Sequence, residues 1–223
     1  MNVFSCEKIL STMTEPNIFL FVPNLIGYGR IVFGIISLIL MPTTPFAASI
    51  CYFLSAFLDA FDGYAARSLN QSTRFGAMLD QLTDRLMFVA LLMTLCVFYP
   101  KWLFFFQMIV IIDIASHWLH LHATDITGGT SHKSSKNPIL HYYYTSRPFL
   151  FFMCLGNEAF FSLLYVYAFW SGPSLLGIYF VPFLLVLFFP VAFVKQGISI
   201  IHLFTASQTV GAIDTANHRN KQL

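Results

Sequence analysis

Six stretches of largely apolar residues follow one another along this chain, at 17 to 41, 46 to 66, 77 to 99, 101 to 122, 148 to 170 and 174 to 206. A helix rises about 1.5 Å per residue, so about 20 apolar residues match the thickness of a bilayer core. Each stretch therefore predicts one spanning helix. The breaks carry turn chemistry: Pro42 and Pro45, then Pro100, then Ser171, Gly172 and Pro173. They predict tight hairpins on one side of a membrane. Pro182 and Pro190 fall inside the last and longest stretch and predict a kink there. The fold class read from this pattern is all-α, an integral membrane bundle of six transmembrane helices. Residues 17–206 form the membrane domain, 1–16 an N-terminal segment and 207–223 a C-terminal tail.

Charge orients the spans. Lys8, Arg67, Arg74, Lys133, Lys136, Arg147, Arg219 and Lys221 fall in the termini and the two longer connections, 67–76 and 123–147, whereas the short hairpins hold only Lys101. Basic residues favour the cytosolic side. Both termini and both longer connections are therefore expected in the cytosol, with which an even number of spans agrees.

Composition narrows the class further. Of 223 residues, 57% are hydrophobic and only 10% charged, against about 25% charged in an ordinary soluble domain. Twelve basic and ten acidic residues cannot clothe a soluble protein of this size. A formal net charge of +2, with no dense basic run, excludes nucleic acid as a partner. Cys6, Cys51, Cys96 and Cys154 stand singly, which predicts buried, reduced thiols rather than a disulfide scaffold or a zinc site. Glu7, Lys8 and Glu15 interrupt the first residues, so no cleaved signal peptide is expected.

The acids lie where lipid makes them expensive. Asp59, Asp62, Asp80, Asp84, Asp113 and Glu158 fall within or at the edge of apolar spans. An ionisable group in such a place is a functional candidate. Asp59 and Asp62 are three apart near the end of the second span, and Asp80 and Asp84 are four apart at the start of the third, so each pair shares a helix face. A short connection makes those helix ends neighbours, and the four carboxylates are expected to face one another at the cytosolic boundary. Four such charges need cations, and hard divalent ions prefer carboxylate and phosphate oxygens. A metal site with one or two ions answers the pattern. Helix caps, or salt bridges to Arg67, Arg74 and Arg85, are the plainer reading of the same residues.

From Asp59 to Asp84 the residues fit D-x2-D-G-x2-A-R-x8-G-x3-D-x3-D at every fixed position. This run resembles the signature of the CDP-alcohol phosphotransferase family. The resemblance implies that Asp59, Asp62 and Asp80 ligate Mg²⁺ or Mn²⁺, and that Asp84 adds to the metal site and accepts the proton of the attacking alcohol. Gly63, Arg67 and Thr73 would contact the CDP-lipid. Further segments, PNIFLFVPNLIGYGR at 16–30, DIASHWLHLH at 113–122 and YYTSRP at 143–148, look like the eukaryotic, inositol-accepting members of the family. That likeness implies CDP-diacylglycerol as donor, myo-inositol as acceptor, and phosphatidylinositol and CMP as products. It also implies the endoplasmic reticulum membrane as location and a homodimer as the assembly.

Other polar residues carry weaker signals. Asn24 and Arg30 interrupt the first span, and Asn24 is read as a contact to the cytidine or to a neighbouring helix. Arg147, and less so Lys133, could steer the anionic donor. Asp113, His117 and His120 share a helix face from which His122 diverges; interhelical hydrogen bonds, or a place at the interface, are favoured over a metal cluster or a substrate role. Two alternatives stay open. One is a transferase of the same family with glycerol phosphate, serine or inositol phosphate as acceptor. The other is a transporter or channel, which leaves unexplained why four aspartates cluster beside Gly and Arg.

Overall fold

A computed structural model of the chain describes residues 16–128, 138–175 and 177–221. Its long elements are all helices: α1 (Val22–Leu40), α2 (Pro45–Ser68), α3 (Arg74–Phe98), α4 (Leu103–Ile126), α6 (Arg147–Tyr167) and α7 (Phe180–Asn220). A shorter helix, α5 (Pro138–Thr145), precedes α6, and a hairpin of β1 (Ser174–Leu175) and β2 (Ile178–Tyr179) precedes α7. Six helices are long and apolar enough to cross a membrane. The all-α expectation of six spans therefore holds.

Of the prolines read as breaks, Pro45 opens α2, while Pro42 and Pro173 lie in the connections before α2 and α7. Pro23, Pro45 and Pro148 sit in the first two positions of α1, α2 and α6, where a missing N–H leaves no bond unmade. The last span differs from its expectation. Strands β1 and β2 stand in the first part of that stretch, so α7 starts at Phe180, Pro182 falls in its first turn, and Pro190 is the proline in the helix interior. The helix continues to Asn220, so the tail expected from 207 is helical over most of its length.

Large apolar side chains such as Val97, Trp118 and Val186 are fully presented to the surroundings. Lipid is the solvent that accommodates such a surface. The same reason corrects the expectation of burial for the thiols: Cys51 and Cys96 are only half-buried and Cys154 is exposed, all three free of disulfides, while Cys6 lies outside the described residues.

The chain packs as two compact units divided between Asp84 and Arg85, inside α3. In the first unit α1 and α2 run antiparallel, joined by a short turn. Ser37 Oγ donates to Ala48 O at 2.8 Å and Ser55 Oγ to Arg30 O at 2.9 Å. Small hydroxyl residues allow this close approach and satisfy the polar groups away from water.

In the second unit α7 packs against α4 and α6. Gly156 of α6 permits the closest contact, since a β-carbon there would lie 2.5 Å from Val191 Cγ1 of α7. Phe88 meets Phe161 edge-on at 5.2 Å, Tyr99 donates its hydroxyl to Leu164 O at 2.9 Å, and Leu140, Tyr143, Met153 and Ile198 form an apolar core.

Candidate functional site

The first unit holds its acids around one cation. In a helix the Cα–Cβ bond leans toward the N-terminus, so the long side chain of Arg30, in mid-α1, reaches back toward the end where α2 finishes and α3 begins. Its Nη2 lies 2.7 Å from Asp59 Oδ1 and 2.5 Å from Asp84 Oδ1. Its Nη1 lies 2.6 Å from both Asp62 Oδ2 and Asp80 Oδ1. The guanidinium is 2% exposed, whereas Asp59 and Asp80 remain open at 43% and 45%. The four aspartates thus converge as their spacing suggested. The cation that meets all four is Arg30. Sequence reasoning noted Arg30 only as an interruption of a span. The available signal was its cost in mid-membrane, which demands an acidic partner.

The donor set suits a divalent metal. Asp59, Asp62 and Asp80 each offer a carboxylate oxygen, and these atoms lie within 4.8 Å of one another. Hard ions such as Mg²⁺ and Mn²⁺ take oxygen ligands of this kind, so these three residues would hold such an ion.

Beside the carboxylates opens a cleft of about 190 Å³ that is lined by Asn24, Asp62, Gly63, Arg67, Thr73, Gly76 and Asp80, among others. The 69–73 connection is pinned to the start of α1, because Val22 N–H donates to Gln71 Oε1 at 3.0 Å. Thr73 Oγ1 accepts from Gly76 N–H at 3.0 Å, capping the start of α3. Asn24 is 1% exposed and donates from Nδ2 to Ile18 O at 2.7 Å. Its Oδ1 is buried with no hydrogen-bond partner. A buried acceptor left unpaired is costly, and this one belongs to a residue at the wall of the cleft.

Of the other residues singled out from the sequence, Arg147 opens α6, but its side chain lies outside the described residues, as does Lys133. Asp113, in the second unit, is paired with Arg85 at 2.9 Å. His117 Nδ1 lies 2.8 Å from Asp113 O on its own helix, and the ring of His120 lies 4.1 Å from that of His202 on α7. Lys195, also buried, stands 5.8 Å over the ring of Tyr143. His117 thus bonds within its own helix, while the ring contact of His120 with His202 places it at the packing of α4 on α7.

Fold and site together define a polytopic membrane protein with a carboxylate centre beside a polar cleft. The profile of the CDP-alcohol phosphatidyltransferase family matches residues 20–171, and the chain belongs to that family. It is 53% identical to the CDP-diacylglycerol–inositol 3-phosphatidyltransferase of Mus musculus and 52% identical to that of Homo sapiens, each over 94% of this chain and 100% of the relative. The protein of the same name from Saccharomyces cerevisiae is 37% identical over 94% of this chain and 95% of its own. No solved structure matches the chain.

Proposed function

We propose that this protein transfers the phosphatidyl group of CDP-diacylglycerol to myo-inositol, forming phosphatidylinositol and CMP. The observation that carries the reading is the single cleft joining Asp62 and Asp80 to Gly63, Arg67, Thr73 and Asn24. The likeness over nearly the whole chain to proteins named for this reaction supports the choice of acceptor.

In the reaction, a hydroxyl oxygen of inositol bonds to the phosphorus that carries the diacylglycerol, the bond from that phosphorus to CMP breaks, and the hydroxyl proton leaves to a base. Asp84 is that base, one helical turn beyond Asp80. Asp59, Asp62 and Asp80, with a share from Asp84, would hold Mg²⁺ or Mn²⁺, which would neutralise the diphosphate charge. Arg67 adds a guanidinium suited to phosphate. Gly63 leaves space beside it, since a β-carbon there would sit 3.3 Å from Arg67 Nη1. The unpaired Asn24 Oδ1 accepts from the amino group of cytosine, and Thr73 contacts the donor at the start of α3.

The excess of basic residues in the termini and longer connections supports cytosolic placement of both termini and of the site. Residence in the endoplasmic reticulum and assembly as a homodimer rest on the family resemblance.

The test is purified protein with CDP-diacylglycerol and a panel of alcohols, with and without chelator. CMP release with myo-inositol, lost on chelation, is expected. Release with glycerol phosphate, serine or inositol phosphate in its place would reassign the acceptor, and ion flux without CMP release would make the protein a transporter.

A further inference from the structure

We infer that Arg30 is the internal counter-cation of the carboxylate centre and competes with the divalent ion for it. The guanidinium gathers Asp59, Asp62, Asp80 and Asp84 when no metal is bound, and loosens as a metal ion binds. This rests on the metal-dependent reading above and concerns a residue that reading does not use.

Three observations support it. A guanidinium in mid-span is costly unless its charge is answered, and both terminal nitrogens of Arg30 go to these four carboxylates, at 2.5 to 2.7 Å. Asp59, Asp62 and Asp80, three of the acids it holds, are also those whose oxygens cluster closely enough for an ion. Arg30 Nε, by contrast, is buried without a hydrogen-bond partner. An arginine selected only to brace the bundle would have its donors satisfied; this one is placed for the acids.

Four carboxylates brought this close repel one another, so a centre built before its metal arrives needs a positive charge within it. A guanidinium supplies that charge but draws on the same oxygens as the ion. Removing it has two consequences of opposite sign. The metal-free protein loses stability, and the metal binds more tightly because no resident cation must yield. Loss of a merely structural arginine would loosen the carboxylates and weaken metal binding instead.

The experiment titrates Mn²⁺ into chelator-stripped full-length protein in detergent and follows thermal unfolding, for the wild type, Arg30→Gln and Arg30→Lys. Arg30→Gln is expected to melt lower without metal and to reach half-saturation at about tenfold less Mn²⁺, equivalent to about 1.4 kcal/mol. Arg30→Lys keeps the charge and stays near the wild-type affinity. Competition for Mn²⁺ against a calibrated chelator reads the same affinity if stripped Arg30→Gln does not survive. Equal or weaker Mn²⁺ binding by Arg30→Gln overturns the inference, as does an equal gain in Arg30→Lys. A wild type that binds no Mn²⁺ removes the metal reading and this inference together, whereas a wild type that binds beside an unchanged Arg30→Gln removes this inference alone.

Discussion

The side-chain oxygen of Asn24 in α1 lies so close to Gly76 in α3 that a β-carbon on the glycine would come within 2.8 Å of it. Asn24 has little room to yield, because its Nδ2 is tied to Ile18 O and its side chain is buried.

Gly76→Ala is therefore expected to displace Asn24 or part α3 from α1. Overpacking of this kind costs about 1–3 kcal/mol, and if that loss falls on donor binding the KM for CDP-diacylglycerol rises by about tenfold or more. Steady-state CMP release, read beside thermal unfolding, checks it. A normal KM would mean that the Asn24 wall of the cleft does not meet the donor.

Removing one metal ligand should silence the enzyme while leaving the fold intact. Asp59→Asn and Asp80→Asn are each expected to lose about a hundredfold or more in turnover, with little change in melting temperature, because the remaining carboxylates still hold Arg30. Stripping the wild type with chelator should have the same effect, reversed by Mg²⁺ or Mn²⁺. Full turnover by either variant in metal-free buffer would end the metal-dependent mechanism.

Asp84→Asn separates proton transfer from binding. Asparagine keeps the size of the side chain but cannot take the proton of the attacking hydroxyl, a role worth about 10² to 10⁴ in rate. Donor affinity, measured with metal on the same preparation, should remain near wild type while CMP release falls by that amount. Near-normal turnover with inositol would exclude Asp84 as the base.

The orientation has its own test. A glycosylation acceptor inserted near residue 43, in the turn between α1 and α2, should be modified in the lumen, and a tag at either terminus should be reached from the cytosol. Glycosylation of the termini in place of that turn would invert the chain and put the carboxylate centre on the luminal face.

The long elements and the acidic motif were legible because both are written locally. A span is set by about 20 consecutive apolar residues, and the pairs Asp59/Asp62 and Asp80/Asp84 share helix faces through their spacing alone. Helix α5, the hairpin of β1 and β2 and the extension of α7 to Asn220 were not legible. Each is short or polar, so hydropathy carries no sign of it, and an apolar run cannot say whether its first residues turn before they coil.

By itself, then, the amino-acid order determined six spans and a carboxylate motif whose family is recognisable. Only the tertiary structure decided what meets those carboxylates. Arg30 is 29 positions before Asp59 and 54 before Asp84, and which cation answers an acid depends on how α1 lies against α2 and α3. The same holds for Asn24, whose unpaired oxygen is visible only once Gly76 stands beside it. Helix periodicity acts over three or four residues, whereas contact between helices is settled by packing, which no local pattern records.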